Sequence, residues 1–262
     1  DNFKIEGFSN LKLDCIFNAI HGTPGEDGKI QKYFKDKNIP ITGCNSYQSE
    51  LTFDKIACLN FLSSKGIKVA SSISLLKSEK IDINEIENKI GFPCFIKASN
   101  SGSSFGVYKV YDKKEMARCI NSAFEVDNKV LIESFIDGRE FSIGVISLNG
   151  ITNVLPITEI ITSNDFFDYE AKYEGKAQEI TPADIADELE SELRLLSEKI
   201  YNLLKLKGFS RSEFIVNDNG IYYLETNTVP GLTSESILPQ QARCADISLK
   251  ELFVNAINEA II

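Results

Sequence analysis

Arg211, Glu213, Glu225 and Asn227 fall within one short stretch, RSEFIVNDNGIYYLETN, with a turn in its middle. Asp218-Asn219-Gly220 suits a three-residue hairpin loop with glycine in the left-handed position. Asn217 then faces Ile221, Glu213 faces Glu225, and Arg211 faces Asn227. Side chains alternate along a strand, so the polar residues share one face and leave Phe214, Val216, Tyr222 and Leu224 to pack on the other. Opposed residues hold their Cβ atoms roughly 5 Å apart. Two carboxylates at that separation repel by about 3 kcal/mol at an effective dielectric of about 20. A cation between them removes the repulsion, and Glu, Glu and an amide oxygen are hard donors suited to Mg²⁺. The competing reading is a solvated, glutamate-rich hairpin face, and spacing alone leaves both open.

A second stretch, KASNSGSSFG at 97–106, follows one expected strand and precedes another. A P-loop needs G-K-[ST] and a following helix, and a Rossmann fingerprint also opens a helix, so neither applies. A Gly/Ser hairpin loop offers backbone N–H groups and hydroxyls to phosphates as a flap, and Lys97 adds a cation. A plain flexible hairpin is the alternative. No H-R-D or D-F-G follows the loop, which sets a protein-kinase reading aside. His21 is the only histidine, and no Ser-His-Asp or Cys-His arrangement can be built on it.

The elements that must position these residues follow from pattern. Leu13 to Ile20 reads as a buried strand, Lys29 to Asn38 as a helix and Ile39 to Thr42 as a short strand, which is α/β grammar. A boundary is expected near Tyr47. Ser49 to Lys65 and Ile81 to Ile90 carry helical spacing. Cys94 to Ala98 and Val107 to Tyr111 are expected strands, and Lys113 to Phe124 a helix with Met116, Ile120 and Phe124 on one side. Val130 to Phe135, Glu140 to Ser147 and Thr152 to Ile161 read as strands, the last two joined at the Asn149-Gly150 turn. Ser163 to Pro182 is polar, aromatic and irregular, and a loop of that length in a compact domain is characteristically a functional lid. Ala183 to Leu206 is an amphipathic packing helix, and Leu249 to Ala260 a final helix. The expected division is 1–47 as a partial N-terminal α/β domain, 48–132 as a central unit with the glycine loop, and 133–262 as a C-terminal unit with lid and hairpin. Mixed hairpins and helices after residue 48 point to α+β units rather than a doubly wound sheet.

Composition narrows the field. A length of 262 residues fits one large domain or two to three packed ones. Apolar residues at 43% and charged residues at 25% exclude the disordered classes. No apolar run approaches the roughly 18 residues that span a bilayer, and the first residues lack a signal-peptide pattern. A net charge of −10 argues against nucleic acid and anionic membranes as partners, yet a local cluster of cations can still hold an anionic small molecule. Six scattered cysteines with no C-x-x-C pair fit a reduced, cytoplasmic setting.

Together the segments resemble the ATP-grasp superfamily, and within it the D-alanine–D-alanine ligases. The matching stretches are HGTPGEDG (21–28), FDK (53–55), KASNSGSSFG (97–106), FFDYEAKY (166–173), RSEF (211–214) and LETNTVPGLTSES (224–236), in the family's order and spacing. The resemblance covers essentially the whole chain. It implies an ATP-grasp fold, two α+β subdomains clasping ATP, preceded by a partial Rossmann-like domain. It also implies ATP-dependent ligation of two D-alanines through an acyl phosphate, for peptidoglycan precursor synthesis.

Residue by residue, the resemblance implies that Lys55 and Lys97 contact the ATP phosphates. Glu133, with the backbone of Ser134, Phe135 and Ile136, would hold adenine, Glu140 the ribose, and Phe166 would pack on the base. Glu213, Glu225 and Asn227 would bind two Mg²⁺, with Mn²⁺ as a substitute. Arg211 would stabilise charge on the transferred phosphoryl group and the tetrahedral adduct. The Gly231 backbone would help form the oxyanion site. Ser236 and the Ile237 amide would hold the second D-alanine's carboxylate, and His21 would approach the first substrate. Ser103 and Tyr173 would link the glycine loop to the lid, and Lys172 would reach the γ-phosphate. The family's D-alanine–D-lactate relatives lack the Lys-Tyr pattern, which favours a dipeptide product, and its members are usually dimers, so a homodimer is expected.

Four departures stand out. Ala98 replaces a usual Pro, Glu213 a common Asp, and Phe167 a common Tyr. The family's opening strand and E-x-x-V-S segment, whose Glu binds the first substrate's amine, are not in this sequence: either an upstream segment carries them or the protein does not bind the first D-alanine in the family's way. Two alternatives remain at this level: another ATP-grasp carboxylate–amine ligase, or a nucleotide-binding module without ligase activity.

Overall fold

The computed structural model describes residues 12–102, 104–162 and 177–261. Gly28, in the left-handed region with φ 84°, opens helix α1 (Lys29–Lys35). A Cβ at Gly28 would lie 2.4 Å from the Ser46 carbonyl oxygen, so the close approach itself demands glycine. Helix α2 (Ser46–Phe53) starts from a capping box between Asn45 and Gln48. Helix α3 (Lys55–Ser64) starts immediately afterwards, with Asp54 accepting from the Ala57 N–H. The single helix expected over Ser49 to Lys65 is therefore two, broken where extended Asp54 caps the second. The two strands expected at Leu13 to Ile20 and Ile39 to Thr42 reduce to one parallel bridge between Ile16 and Ile41. Side chains take over the backbone partners there: Thr42 Oγ1 accepts from the Asn18 N–H, and the Asn18 amide donates to Gly25 O.

A four-stranded antiparallel sheet follows. Its strands are β1 (Ser72–Leu76), β2 (Cys94–Ala98), β3 (Val107–Val110) and β4 (Lys129–Ser134), in spatial order β1-β4-β2-β3. Helices α4 (Ile83–Ile90) and α5 (Lys113–Val126) cover one face. Ile86, Met116, Ile120, Ile96 and Ile132 form its buried core. Met116, Ile120 and Phe124 are buried as the helical spacing predicts. Strand β1, a short edge strand, carries no long alternation and was not legible in the pattern.

The larger sheet comprises β5 (Arg139–Leu148), β6 (Ile151–Val154), β7 (Thr158–Thr162), β8 (Ala177–Ile180), β9 (Phe209–Asn217) and β10 (Gly220–Asn227). Its order is β10-β9-β5-β7-β8, with β6 also paired to β5. Helix α6 (Asp187–Leu203) packs on it through Leu193 and Ile200, against Phe141, Phe214 and Tyr223. Cys58, Leu59 and Leu62 of α3 join this same cluster. Helices α7 (Ile237–Cys244) and α8 (Leu249–Ile261) form a further cluster with Ile146 and Phe209.

Three expectations change here. The strand over Thr152 to Ile161 is split into β6 and β7, with Pro156 in the break. Of the irregular stretch 163–182, residues 177–180 are strand β8, while 163–176 lie outside the described residues. Helix α7 was not expected, yet its Pro239 stands in the first turn, where the missing N–H costs nothing.

Candidate active site

The β9–β10 hairpin brings Glu213 opposite Glu225 and Arg211 opposite Asn227. The route differs from the expected three-residue loop. Asn217 pairs with Gly220, not Ile221, across a two-residue turn, and a bulge between Tyr223 and Glu225 restores the count. Two offsets cancel, and the acids meet as expected. The bulge also decides which aromatic is buried. Tyr223, not Tyr222, enters the core, where its ring meets Phe214 with centroids 6.0 Å apart. Leu224 and Ile215 instead line a cavity.

Behind the two acids runs a buried chain of hydroxyls. The Tyr223 hydroxyl donates to Thr226 Oγ1 at 3.0 Å, and Thr226 Oγ1 and Ser212 Oγ lie 2.7 Å apart. Ser212 and Thr226 are register partners one residue from each acid, so these bonds fix the ribbon where Glu213 and Glu225 leave it. Burial raises the Tyr223 hydroxyl well above the ordinary phenol range, so it stays protonated as a donor.

Arg211 bonds the Glu213 carboxylate and donates to Ser142 Oγ at 2.9 Å. Burial pushes the Arg211 guanidinium down, but Glu213, Glu225 and Glu179 together outweigh it and hold the charge firmly. Ser142 is itself braced: buried Gln241 donates to Ser142 O at 2.8 Å and to Thr158 Oγ1 at 3.0 Å, while accepting from the Gly144 N–H. Helix α7 is thereby tied to the sheet directly beneath Arg211.

Two cavities of about 540 and 550 Å³ meet at this hairpin. Lys55, Ser101, Gly102 and Glu225 line both. In the first, Phe95, Ile160, Ile215 and Leu224 give an apolar wall, while Lys97, Glu133, Glu140 and Glu213 give polar corners. Lys97 is ion-paired to Glu133. Burial depresses its ammonium, but Glu133, Glu225 and Glu213 more than compensate, so the charge persists. Lys55 donates to Ser101 O at 2.5 Å and stands 3.7 Å from Glu225. Ser134 and Ile136 also line this cavity. The N–H groups of Ser134 and Phe135 are used by Ser71 O and Pro93 O, whereas that of Ile136 has no backbone partner among the described residues.

The second cavity is more polar. Arg211, Asn227, Gly231, Ser236, Ile237 and His21 line it, with Glu26 and Glu179. His21 Nδ1 stands 3.6 Å from Glu26 Oε1. That contact raises the imidazole pKa against the opposing effects of burial and Arg211. Gly231 lies against Ser236: a Cβ there would be 2.6 Å from Ser236 Oγ. Asn227 Oδ1 accepts from the Val229 N–H at 2.8 Å, which fixes the amide's orientation.

Every expected site residue within the described part lines one of these two cavities. Ser103, Phe166, Phe167, Lys172 and Tyr173 lie outside the described residues. Sequence reasoning missed Ser142, Gln241, Glu179 and the Ser212–Thr226–Tyr223 hydroxyls. Among them only Ser212 and Thr226 had a signal, as hydroxyl residues flanking the two acids at matched register positions.

The chain is similar to known proteins over most of its length. Residues 61–258 match the family model described as D-ala D-ala ligase C-terminus. A D-alanine–D-alanine ligase of Flavobacterium johnsoniae is 55% identical over 247 residues, covering 94% of this chain and 76% of that protein. Its counterpart from Christiangramia forsetii is 49% identical, covering 96% and 77%. Among solved structures, the VanG D-Ala:D-Ser ligase of Enterococcus faecalis superposes with a TM-score of 0.86 at 34% identity, covering 96% of this chain and 74% of that one. The D-alanine–D-alanine ligase of Bacillus anthracis complexed with ATP gives 0.82 at 31% identity, covering 95% and 79%.

Proposed function

Since this chain belongs to the D-alanine–D-alanine ligase family, we propose that it joins two D-alanines into D-alanyl-D-alanine, with ATP as the second substrate, for peptidoglycan precursors. Its fold is the ATP-grasp fold of that family. The observation that carries the reading is the pair of cavities meeting at Lys55 and Glu225, one with an apolar wall and the other lined by Arg211, Gly231 and Ser236.

A carboxylate is a poor acyl donor, so the reaction first places phosphate on it. ATP fills the first cavity, its base against Phe95, Ile160 and Leu224 and its phosphates toward Lys55 and Lys97. The donor set at the junction fits a hard divalent ion: two facing carboxylates and an oriented amide oxygen. Mg²⁺ held by Glu213, Glu225 and Asn227 would draw charge from the triphosphate and polarise the γ-phosphoryl group. Arg211, held by Ser142 and Glu213, meets the charge that develops as the phosphoryl group moves and as the adduct forms. Ser236 Oγ and the Ile237 amide orient the second amino acid by its carboxylate, and the Gly231 backbone faces the developing oxyanion. His21, braced by Glu26, approaches the first substrate. The reading sets the protein in the cytoplasm, where ATP is supplied, and makes a homodimer the assembly expected on sedimentation. Among the described residues no helix is long and apolar enough to cross a membrane.

The complete gene product, given ATP, Mg²⁺ and D-alanine, should release one phosphate per dipeptide formed. Turnover with another amino acid and silence with D-alanine would point to a different carboxylate–amine ligase. ATP binding without phosphate release would leave a nucleotide-binding module.

A further inference from the structure

The attacking amine reaches the enzyme as an ammonium and cannot act as a nucleophile until it loses a proton. The second cavity holds four carboxylates: Glu26, Glu179, Glu225 and Glu235. Glu26 is engaged with His21, Glu225 faces Lys55, and Glu235 is exposed. Glu179, on β8, is different. It is partly buried, has no cation within ion-pair distance among the described residues, and accepts from Gln240 Nε2 at 2.9 Å. The same Gln240 nitrogen donates to Glu235 O at 2.7 Å. Both bonds meet on one atom, so the Glu179 carboxylate is held beside the carbonyl of the residue that precedes Ser236. Under the reading above, Ser236 and the Ile237 amide grip the carboxylate of the incoming amino acid, whose ammonium is only one carbon away.

We propose that Glu179 is a catalytic residue that receives the ammonium of the second amino acid and removes its proton before attack. This rests on the ligase reading and adds a role to it. One N–H proton passes to a Glu179 oxygen, and the freed nitrogen lone pair forms the C–N bond to the acyl carbon of the acyl phosphate. The resulting oxyanion then expels phosphate by breaking the C–O bond. The nitrogen's second proton leaves with that phosphate, and Glu179 returns its own proton to water. Burial raises the Glu179 carboxyl above the ordinary range, against the opposing bond from Gln240 and the pull of Arg211. That direction suits a base working near neutrality. Of the charged groups lining the cavity, His21, Glu26, Lys55, Arg211, Glu225 and Glu235, only Arg211 acts on it appreciably.

The test uses the complete protein with Mg²⁺-ATP, D-alanine and, separately, hydroxylamine. Hydroxylamine is unprotonated at neutral pH and captures the acyl phosphate as a hydroxamate without a base. Glu179→Gln is expected to lower kcat for dipeptide by about 10²-fold, to remove the acidic limb of its pH profile, and to leave hydroxamate formation near wild type. Glu179→Asp should recover part of the rate. Should the Gln variant fail to fold, Gln240→Ala, which frees the carboxylate without removing it, should shift the acidic limb and again spare the hydroxamate. A dipeptide kcat within about threefold of wild type, or equal loss of dipeptide and hydroxamate, overturns the role. Wild-type protein that releases no phosphate with D-alanine would instead overturn the ligase reading itself.

Discussion

Arg211 shows how one side chain can carry both chemistry and stability. Its guanidinium answers the buried Glu213 carboxylate, so Arg211→Ala removes a catalytic charge and strands an acid. We expect kcat to fall by roughly 10²- to 10³-fold and stability by about 3 kcal/mol, read by chemical denaturation. Adding Glu213→Gln should restore part of the stability and none of the rate. Gly231→Ala tests the other cavity. Its new Cβ presses on Ser236 Oγ, so KM for the second D-alanine should rise several-fold while KM for ATP stays put. At this scale the sequence was readable wherever residues act in fixed spacing, as Arg211, Glu213, Glu225 and Asn227 do across one turn. Glu179 and Ser142 gave no such sign, because each meets its partner across a distance in the chain that no local pattern records.

Asp54 is the element-scale counterpart. It ends α2, caps α3, accepts from Ser99 Oγ at 2.7 Å and pairs with Lys129 at 2.8 Å. One carboxylate therefore joins the helical pair to the small sheet beside the glycine loop. Burial pushes the Asp54 carboxyl up, but Lys129, Ser99 and the Ala57 N–H together bring it below its ordinary value. Its contribution is therefore full above the unfolded value of about 4 and fades as pH falls through the lower folded one. Asp54→Asn keeps the cap and loses the charge. It should cost under about 1 kcal/mol at pH 7, since Lys129 is half exposed, and the gap to wild type should close below roughly pH 4 in thermal melts. Helices with clean apolar stripes, such as α5, were legible from spacing. The join between α2 and α3 was not, because apolar periodicity runs straight through a residue that acts by capping.

At the scale of the whole molecule, an acidic chain gathers its cations where two cavities meet. Lys55, Lys97 and Arg211 converge there although the net charge is −10. Binding at that junction bridges the small and large sheets, so Mg²⁺-ATP at about 100 times its Kd should add about 2.7 kcal/mol of stability. Lys97→Ala should abolish that shift in a thermal melt while leaving the helical circular dichroism unchanged. The overall architecture was legible through the ordered motifs, whereas the placement of α3 against the larger sheet depended on contacts between distant segments. The Leu224 bulge sets unequal tolerances to change in gene length along one ribbon. An inserted codon at the exposed Asp218-Asn219 turn lengthens only a tip. Losing the single codon for Leu224 would remove only the unpaired residue and leave Glu225 facing Glu213 and Thr226 facing Ser212, whereas losing the codon for Thr226 would take away the partner of Ser212 and draw Asn227 inward, so in-frame deletions should vanish from a library of functional variants at 226 and survive at 224.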